Sequence, residues 1–312
     1  MIVIWLNNYK RLSLKFMVVL ISKNTLIVDK LADALSESTG DLLKRDFKAI
    51  AAEFLAIERV TEQIELFKSE VNKNCSFDFA GKKLLELGCG VGTMLVVART
   101  KYNIDAYGIE PSEDEFSPFN LISKELIKEH ELPENIIVRG FAEHLPFEDE
   151  SFDLIYSTNV LEHVQNPEKV LKESIRVLKK GGYLQFVIPN YFSFWEGHYG
   201  VIWPCLINKP LAKLYANIIC QNPAYIDTLQ LISPFFLSKV LSKFENKVEV
   251  LGWGKEIFKN RLVSGNYNDW ASLKKIRMIV SLIQRLKLST LLANIFNGLQ
   301  MYTPIVLTLQ KY

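Results

Sequence analysis

The 312-residue chain carries 49% apolar and 23% charged residues, a balance that builds a substantial core and excludes an intrinsically disordered chain. Its 37 basic and 35 acidic side chains leave a net charge of +2, so no global excess draws it onto nucleic acid, which is not expected as a partner. Cys75, Cys89, Cys205 and Cys220 form no C-x-x-C pair, which fits a reducing, cytoplasmic setting.

The first residues are apolar in part, yet Asn7, Asn8, Lys10, Arg11 and Lys15 interrupt the run well short of a membrane span. Phe16 to Ile21 is too short for a signal peptide and has no small-residue cleavage site after it. The segment reads as a surface arm, or as leader to a true start at Met17. From Asp29 to Val71, Phe47, Ile50, Phe54, Ile57, Val60, Ile64 and Phe67 recur at three- and four-residue steps, which predicts amphipathic helices. Residues 1–75 are thus expected to form a helical extension, and 76–312 the main domain.

Strands are expected at Lys82–Leu87, Ala106–Glu110, Ile136–Gly140, Phe152–Ser157 and Tyr183–Ile188, with helical or turn-rich stretches between them. This alternation predicts an α/β fold with a parallel sheet and helices on both faces. A helix over Pro167–Leu178 should end on Lys179 and Lys180, stopped by Gly181-Gly182. Val248–Gly252 and Pro304–Gln310 are candidate sixth and seventh strands forming an antiparallel edge. An aromatic insert (189–247) follows the fifth strand and a helical one (255–302) the sixth.

Leu84-Leu85-Glu86-Leu87-Gly88-Cys89-Gly90-Val91-Gly92 is an apolar strand turning through three alternating glycines into a helix, which lets a ligand lie against main-chain atoms. Glu110 follows Gly88 by 22 positions (110 minus 88), near the spacing of a carboxylate that accepts from ribose hydroxyls. A nicotinamide-dependent dehydrogenase shares these cues. However, Gly88-x-Gly90-x-x leads to Thr93 rather than to a third glycine.

Glu86-Leu87-Gly88-Cys89-Gly90-Val91-Gly92, Ala142-Glu143-His144-Leu145-Pro146-Phe147 with Ser151-Phe152-Asp153, Asn159-Val160-Leu161-Glu162-His163-Val164 and Leu178-Lys179-Lys180-Gly181-Gly182 occur in that order. Together they resemble the class I S-adenosylmethionine-dependent methyltransferases of the small-molecule group. The resemblance covers Gly81 to about Asn190 and implies a Rossmann-like, seven-stranded, mostly parallel sheet that binds S-adenosylmethionine. It implies that Glu86 and the turn Gly88, Cys89, Gly90 and Gly92 hold the methionine part, and that Glu110, followed by Pro111, holds the ribose. Ala142 and Glu143 would border the adenine, and Asn159 to His163 would lie beneath the sulfonium. Phe141 departs from the pattern, standing where many relatives have a polar acceptor for the adenine amino group.

The expected reaction is in-line methyl transfer to an oxygen of a small molecule, a sugar or a lipid-linked intermediate. Within Tyr191–Tyr199, His198 is the candidate base, with a structural histidine in an aromatic lid as the competing reading. Trp195, Trp203, Trp253 and Trp270 suit an acceptor pocket and a packed core equally. No H-x-x-x-H or carboxylate cluster occurs, so no metal is expected. The segment Asp269–Tyr302 mixes Lys274, Lys275, Arg277, Arg285 and Lys287 with apolar residues. It reads either as a helix packed on its own domain or as one lying on the inner membrane surface. A non-catalytic cofactor-binding subunit is the alternative of another class. The sequence leaves the oligomeric state open.

Overall fold

The computed structural model describes residues 26–73, 75–111, 117–265 and 277–312. The expectations about the first residues, Trp270, Lys274 and Lys275 lie outside them. Three helices come first: α1 (26–39), α2 (Phe47–Phe54) and α3 (Ile57–Val71). The alternating part runs β1 (Lys83–Leu87), α4 (Thr93–Tyr102), β2 (Asp105–Glu110), α5 (Ser117–Glu129), β3 (Ile137–Arg139), β4 (Phe152–Thr158), α6 (Pro167–Val177) and β5 (Leu178–Ile188). A short hairpin of β6 (Trp195–Glu196) and β7 (Val201–Ile202), then α7 (Lys209–Ile218) and α8 (Pro234–Leu241), fill the aromatic insert. The chain continues through β8 (Val248–Gly252), α9 (Lys255–Ser264), α10 (Arg277–Arg285), α11 (Ser289–Gly298) and β9 (Ile305–Lys311).

The seven main strands pair in the order β3-β2-β1-β4-β5-β9-β8, parallel except where β9 meets β5 and β8. The last strand is therefore antiparallel as expected, but it lies inside the sheet, and β8 is the edge. The period-two alternation of strand side chains divides the core. Leu85 and Leu87, Leu184, Phe186 and Ile188, and Ile305, Leu307 and Leu309 meet α6, α8, α9 and α11 on one face. Leu84, Leu154, Tyr156 and Tyr183 meet α3 and α4 on the other. Each large side chain buried this way stabilises the fold by ~2 kcal/mol.

One boundary differs from expectation. Helix α6 starts where Asn166 caps the Lys169 N–H at 3.0 Å and Pro167 opens the first turn. It ends at Val177, because Leu178 adopts an extended backbone and pairs with Phe152. Lys179 is thus not a last-turn cation. It belongs to a bulged start of β5, where its Nζ reaches Asp153 at 3.0 Å.

Candidate cofactor and acceptor site

Strand order reverses between β1 and β4, and the crevice beyond the carboxyl ends of such strands is where open α/β sheets bind ligands. The glycine turn sits there. Gly88 has φ +67, and a Cβ on it would lie 2.4 Å from Val160, so the turn and the 159–163 segment approach as only glycine permits. Gly90 has φ +51 and faces open space. The N–H groups of Gly88 and Cys89 are spent on the Ile109 carbonyl, at 2.9 and 3.2 Å. The Cys89 side chain packs inward among Leu95, Leu84 and Val97, so only its backbone belongs to the turn.

Glu110 ends β2, almost wholly buried, and its Oε2 accepts from the Gly90 N–H at 2.8 Å. Burial raises its pKa to about 7, against the pull of that hydrogen bond. Glu86 is also buried, and its Oε2 has no hydrogen-bond partner among the described residues. Burial, and then the charge of Glu110, push its carboxyl well above the usual range. Two buried acids at a glycine turn fit a ligand with hydroxyl donors and an ammonium group, as S-adenosylmethionine has.

The other predicted residues lie around this crevice with different engagements. Pro111 continues from β2, and its carbonyl accepts from Asn120 at 3.4 Å. Asn159 has φ +53 and donates its N–H to Val187 at 2.9 Å, with its side chain exposed. Ala142 is buried, whereas Phe141 is 43% exposed. Oε1 of Glu143 accepts from the N–H groups of Gln165 and Asn166, at 2.9 and 3.4 Å, so one oxygen of this candidate adenine contact holds the entry to α6. Thr93 donates to the Phe54 carbonyl at 2.8 Å, and Val91 packs with α1 and α2, so the helical extension lies against the cofactor turn.

A polar group adjoins the 159–163 segment. The Gln230 N–H donates to the Glu162 carbonyl at 2.6 Å, folding the aromatic insert back onto the motif. His198 thereby comes beside His163, with ring centroids 5.2 Å apart and planes nearly perpendicular. Its Nδ1 meets Glu196 Oε1 at 2.7 Å, and Glu196 also accepts from the N–H groups of His198 and Tyr199. Burial alone would raise the Glu196 carboxyl and lower the His198 imidazole. The pair outweighs it, so Glu196 is held below and His198 above the usual range. Glu162 is fully buried, and neither of its carboxylate oxygens has a hydrogen-bond partner among the described residues. Burial, partly offset by His198, raises its pKa to about 7.

Sequence reasoning counts Glu196 as a proton acceptor in the aromatic run but gives neither it nor Glu162 a separate role, and it misses Arg45. Arg45, between α1 and α2, donates from Nη1 to the carbonyls of Gly197 and His198 at 2.8 and 2.7 Å, pinning the histidine loop from the extension. Trp203 resolves toward core packing with Tyr191, Tyr199 and Tyr225, and Trp195 is buried. Trp253 lines a groove of about 210 Å³ with Pro234, Phe235, Ser238, Lys255 and Gln300. His130 and His144 are exposed, the latter against Lys169.

Comparison with known proteins matches residues 85–186 to the methyltransferase domain family. The norajmaline N-methyltransferase of Rauvolfia serpentina is 36% identical over 143 residues, covering 46% of this chain and 46% of that protein. The phthiotriol/phenolphthiotriol dimycocerosates methyltransferase of Mycobacterium tuberculosis is 34% identical over 123 residues, covering 38% and 43%. The chain thus spans under half the length of these curated relatives. The solved Haemonchus contortus phosphoethanolamine N-methyltransferase 2, in complex with phosphomonomethylethanolamine and S-adenosylhomocysteine, has 13% identity and a TM-score of 0.51. That likeness covers 89% of this chain and 59% of that one, and concerns the fold alone. The glycine turn, paired acids and reversed strand order, together with the methyltransferase domain matched over residues 85–186, support a class I S-adenosylmethionine-dependent methyltransferase.

Proposed function

We propose that the protein transfers a methyl group to an oxygen of a small molecule, a sugar or a lipid-linked intermediate, with the acceptor meeting the cofactor at the Glu162–His163–His198 group. S-adenosylmethionine, when bound, supplies a methyl group on a positively charged sulfur. Glu110 receives the ribose hydroxyls, Glu86 faces the amino-acid end, and Gly90 leaves the backbone bare for contact. The observation that carries the acceptor reading is the Glu196–His198 contact at 2.7 Å. With Nδ1 on the carboxylate, Nε2 is the nitrogen left to take a hydroxyl proton while the oxygen attacks. Alignment of acceptor and methyl within a site that excludes water supplies the rest of the acceleration.

A membrane surface is the partner we assign to α10 and α11. Ile279, Leu282 and Leu286 form one exposed row, and Leu291, Ile295 and Leu299 another, with Arg285 and Lys287 beside them. No single helix among the described residues is long and apolar enough to cross a membrane, and α10 and α11 meet the length and composition of a span only as a pair bent by 115°; we assign them contact from one side. A lipid-linked acceptor would then be within reach of the site.

The test is calorimetric titration with S-adenosylhomocysteine, followed by incubation of methyl-labelled donor with a cell lipid extract and a soluble extract. Label in an ether or ester product supports the reading. Label on nitrogen alone overturns the oxygen assignment, and cofactor binding without any labelled product favours a non-catalytic module.

A further inference from the structure

We propose that Glu162, His163 and His198 form a binding site for one divalent cation. The inference rests on the acceptor reading above, since it concerns the same corner of the site. Each residue offers one donor atom, and all three donors lie within 4.8 Å of one another. Glu162 is fully buried with both oxygens unpartnered among the described residues, although a buried carboxylate left alone is costly. Glu196 adds a second buried carboxylate, so two buried carboxylates share the corner with the Arg45 guanidinium, whose Nη1 donates to backbone carbonyls rather than to either acid.

The histidines are prepared as ligands. Glu196 fixes Nδ1 of His198, which leaves the Nε2 lone pair for a metal, the carboxylate–histidine pairing that orients metal-bound imidazoles. His163 Nε2 lies 4.0 Å from Glu162 Oε1, and its side chain is 39% exposed, so it can move and leaves an approach from solvent. A tetrahedral site with bonds of ~2.1 Å needs donors ~3.4 Å apart, a closure of up to about 1.4 Å from the 4.8 Å that bounds their spacing. Two nitrogens and one oxygen favour a first-row cation such as Zn²⁺ or Mn²⁺ over Mg²⁺. Three protein ligands leave an open position, where an acceptor hydroxyl would bind and shed its proton to solvent. His198 is then a ligand, not the first carrier of that proton.

The experiment uses the full chain stripped with chelator and dialysed against Mn²⁺ or Zn²⁺, with bound metal counted and Mn²⁺ followed by electron paramagnetic resonance. One equivalent is expected, with affinity falling at least tenfold in Glu162→Gln, His198→Asn and His163→Asn and unchanged in His130→Asn. Circular dichroism and cooperative thermal melts report that each variant is folded. His163→Asn, at the exposed ligand, keeps the test decisive should the buried Glu162→Gln variant fail to fold. Absence of stoichiometric binding, binding unaffected by these substitutions, or binding abolished only by Cys75→Ser or Cys220→Ser would overturn the proposal. If metal binding fails while label still reaches oxygen, methyl transfer stands with His198 as base. If metal binds and no oxygen is labelled, the transfer reading fails and the cation site stands.

Discussion

The carboxylate of Glu110 accepts a hydrogen bond from the Gly90 N–H at 2.8 Å, which ties the end of β2 to the middle of the glycine turn. The expected consequence is that Glu110→Ala weakens S-adenosylhomocysteine binding by ~10–100-fold, the loss of one or two charge-assisted hydrogen bonds. The melting curve should stay cooperative. Isothermal titration measures the change, and unaltered affinity would remove Glu110 from the cofactor site.

The same carboxyl sets a pH dependence. Its folded pKa of about 7 lies above the ordinary 4.5, so between these values the folded protein holds a proton that the unfolded chain releases. The associated stability is present below about 4.5 and is lost as pH rises through about 7. Glu110→Gln should therefore stabilise the cofactor-free protein at pH 8, by on the order of 1–3 kcal/mol, and change it little at pH 5. Denaturant melts at the two pH values decide the matter, and an equal difference at both would contradict it. Cofactor affinity should move oppositely, tightening as the ionised form appears.

Glu196 raises the His198 imidazole above its usual range, against burial. Glu196→Gln removes that support, so the His198 imidazole should titrate lower than in the wild type. Histidine-selective NMR titration of the wild type and the variant reads this directly. An unmoved titration would mean that another group supports the ring.

Arg45 acts on the site from the N-terminal extension. Arg45→Ala should reduce turnover about tenfold by loosening the carbonyls of Gly197 and His198, with cofactor affinity unchanged. Parallel kinetics and calorimetry separate the two effects. A loss of cofactor binding equal to the loss of rate would point to general unfolding of the extension.

Leu282→Asp with Leu286→Asp should abolish co-sedimentation with vesicles containing anionic lipid while leaving the melting temperature nearly unchanged, because both side chains are more than half exposed. Wild-type protein that ignores such vesicles would remove the membrane assignment.

The cofactor half was legible because its cues are local. Glycines at 88, 90 and 92 and short apolar runs express backbone demands within a few residues of one another, and the acid 22 positions on stands at a spacing fixed by the strand–helix–strand unit between them. The acceptor half was not, because its partners meet only in space. Glu162 and His163 follow β4, whereas Glu196 and His198 come from a hairpin that the Gln230–Glu162 backbone bond and Arg45 bring over the motif. Glu143 shows the converse limit: its residue type matched a family motif, but its partners across 22 positions put one oxygen to work on the chain entering α6.

The place of β9 between β5 and β8 constrains the order in which a nascent chain can mature. Until residues 305–311 leave the ribosome, β5 has one open flank and β8 has no strand beside it, so two unpaired edges await a segment made after both. Ribosome-arrested chains halted before that point should thus be protease-sensitive beyond Ile188 and recruit chaperones that bind exposed strands, and extending the arrest past this stretch should relieve both.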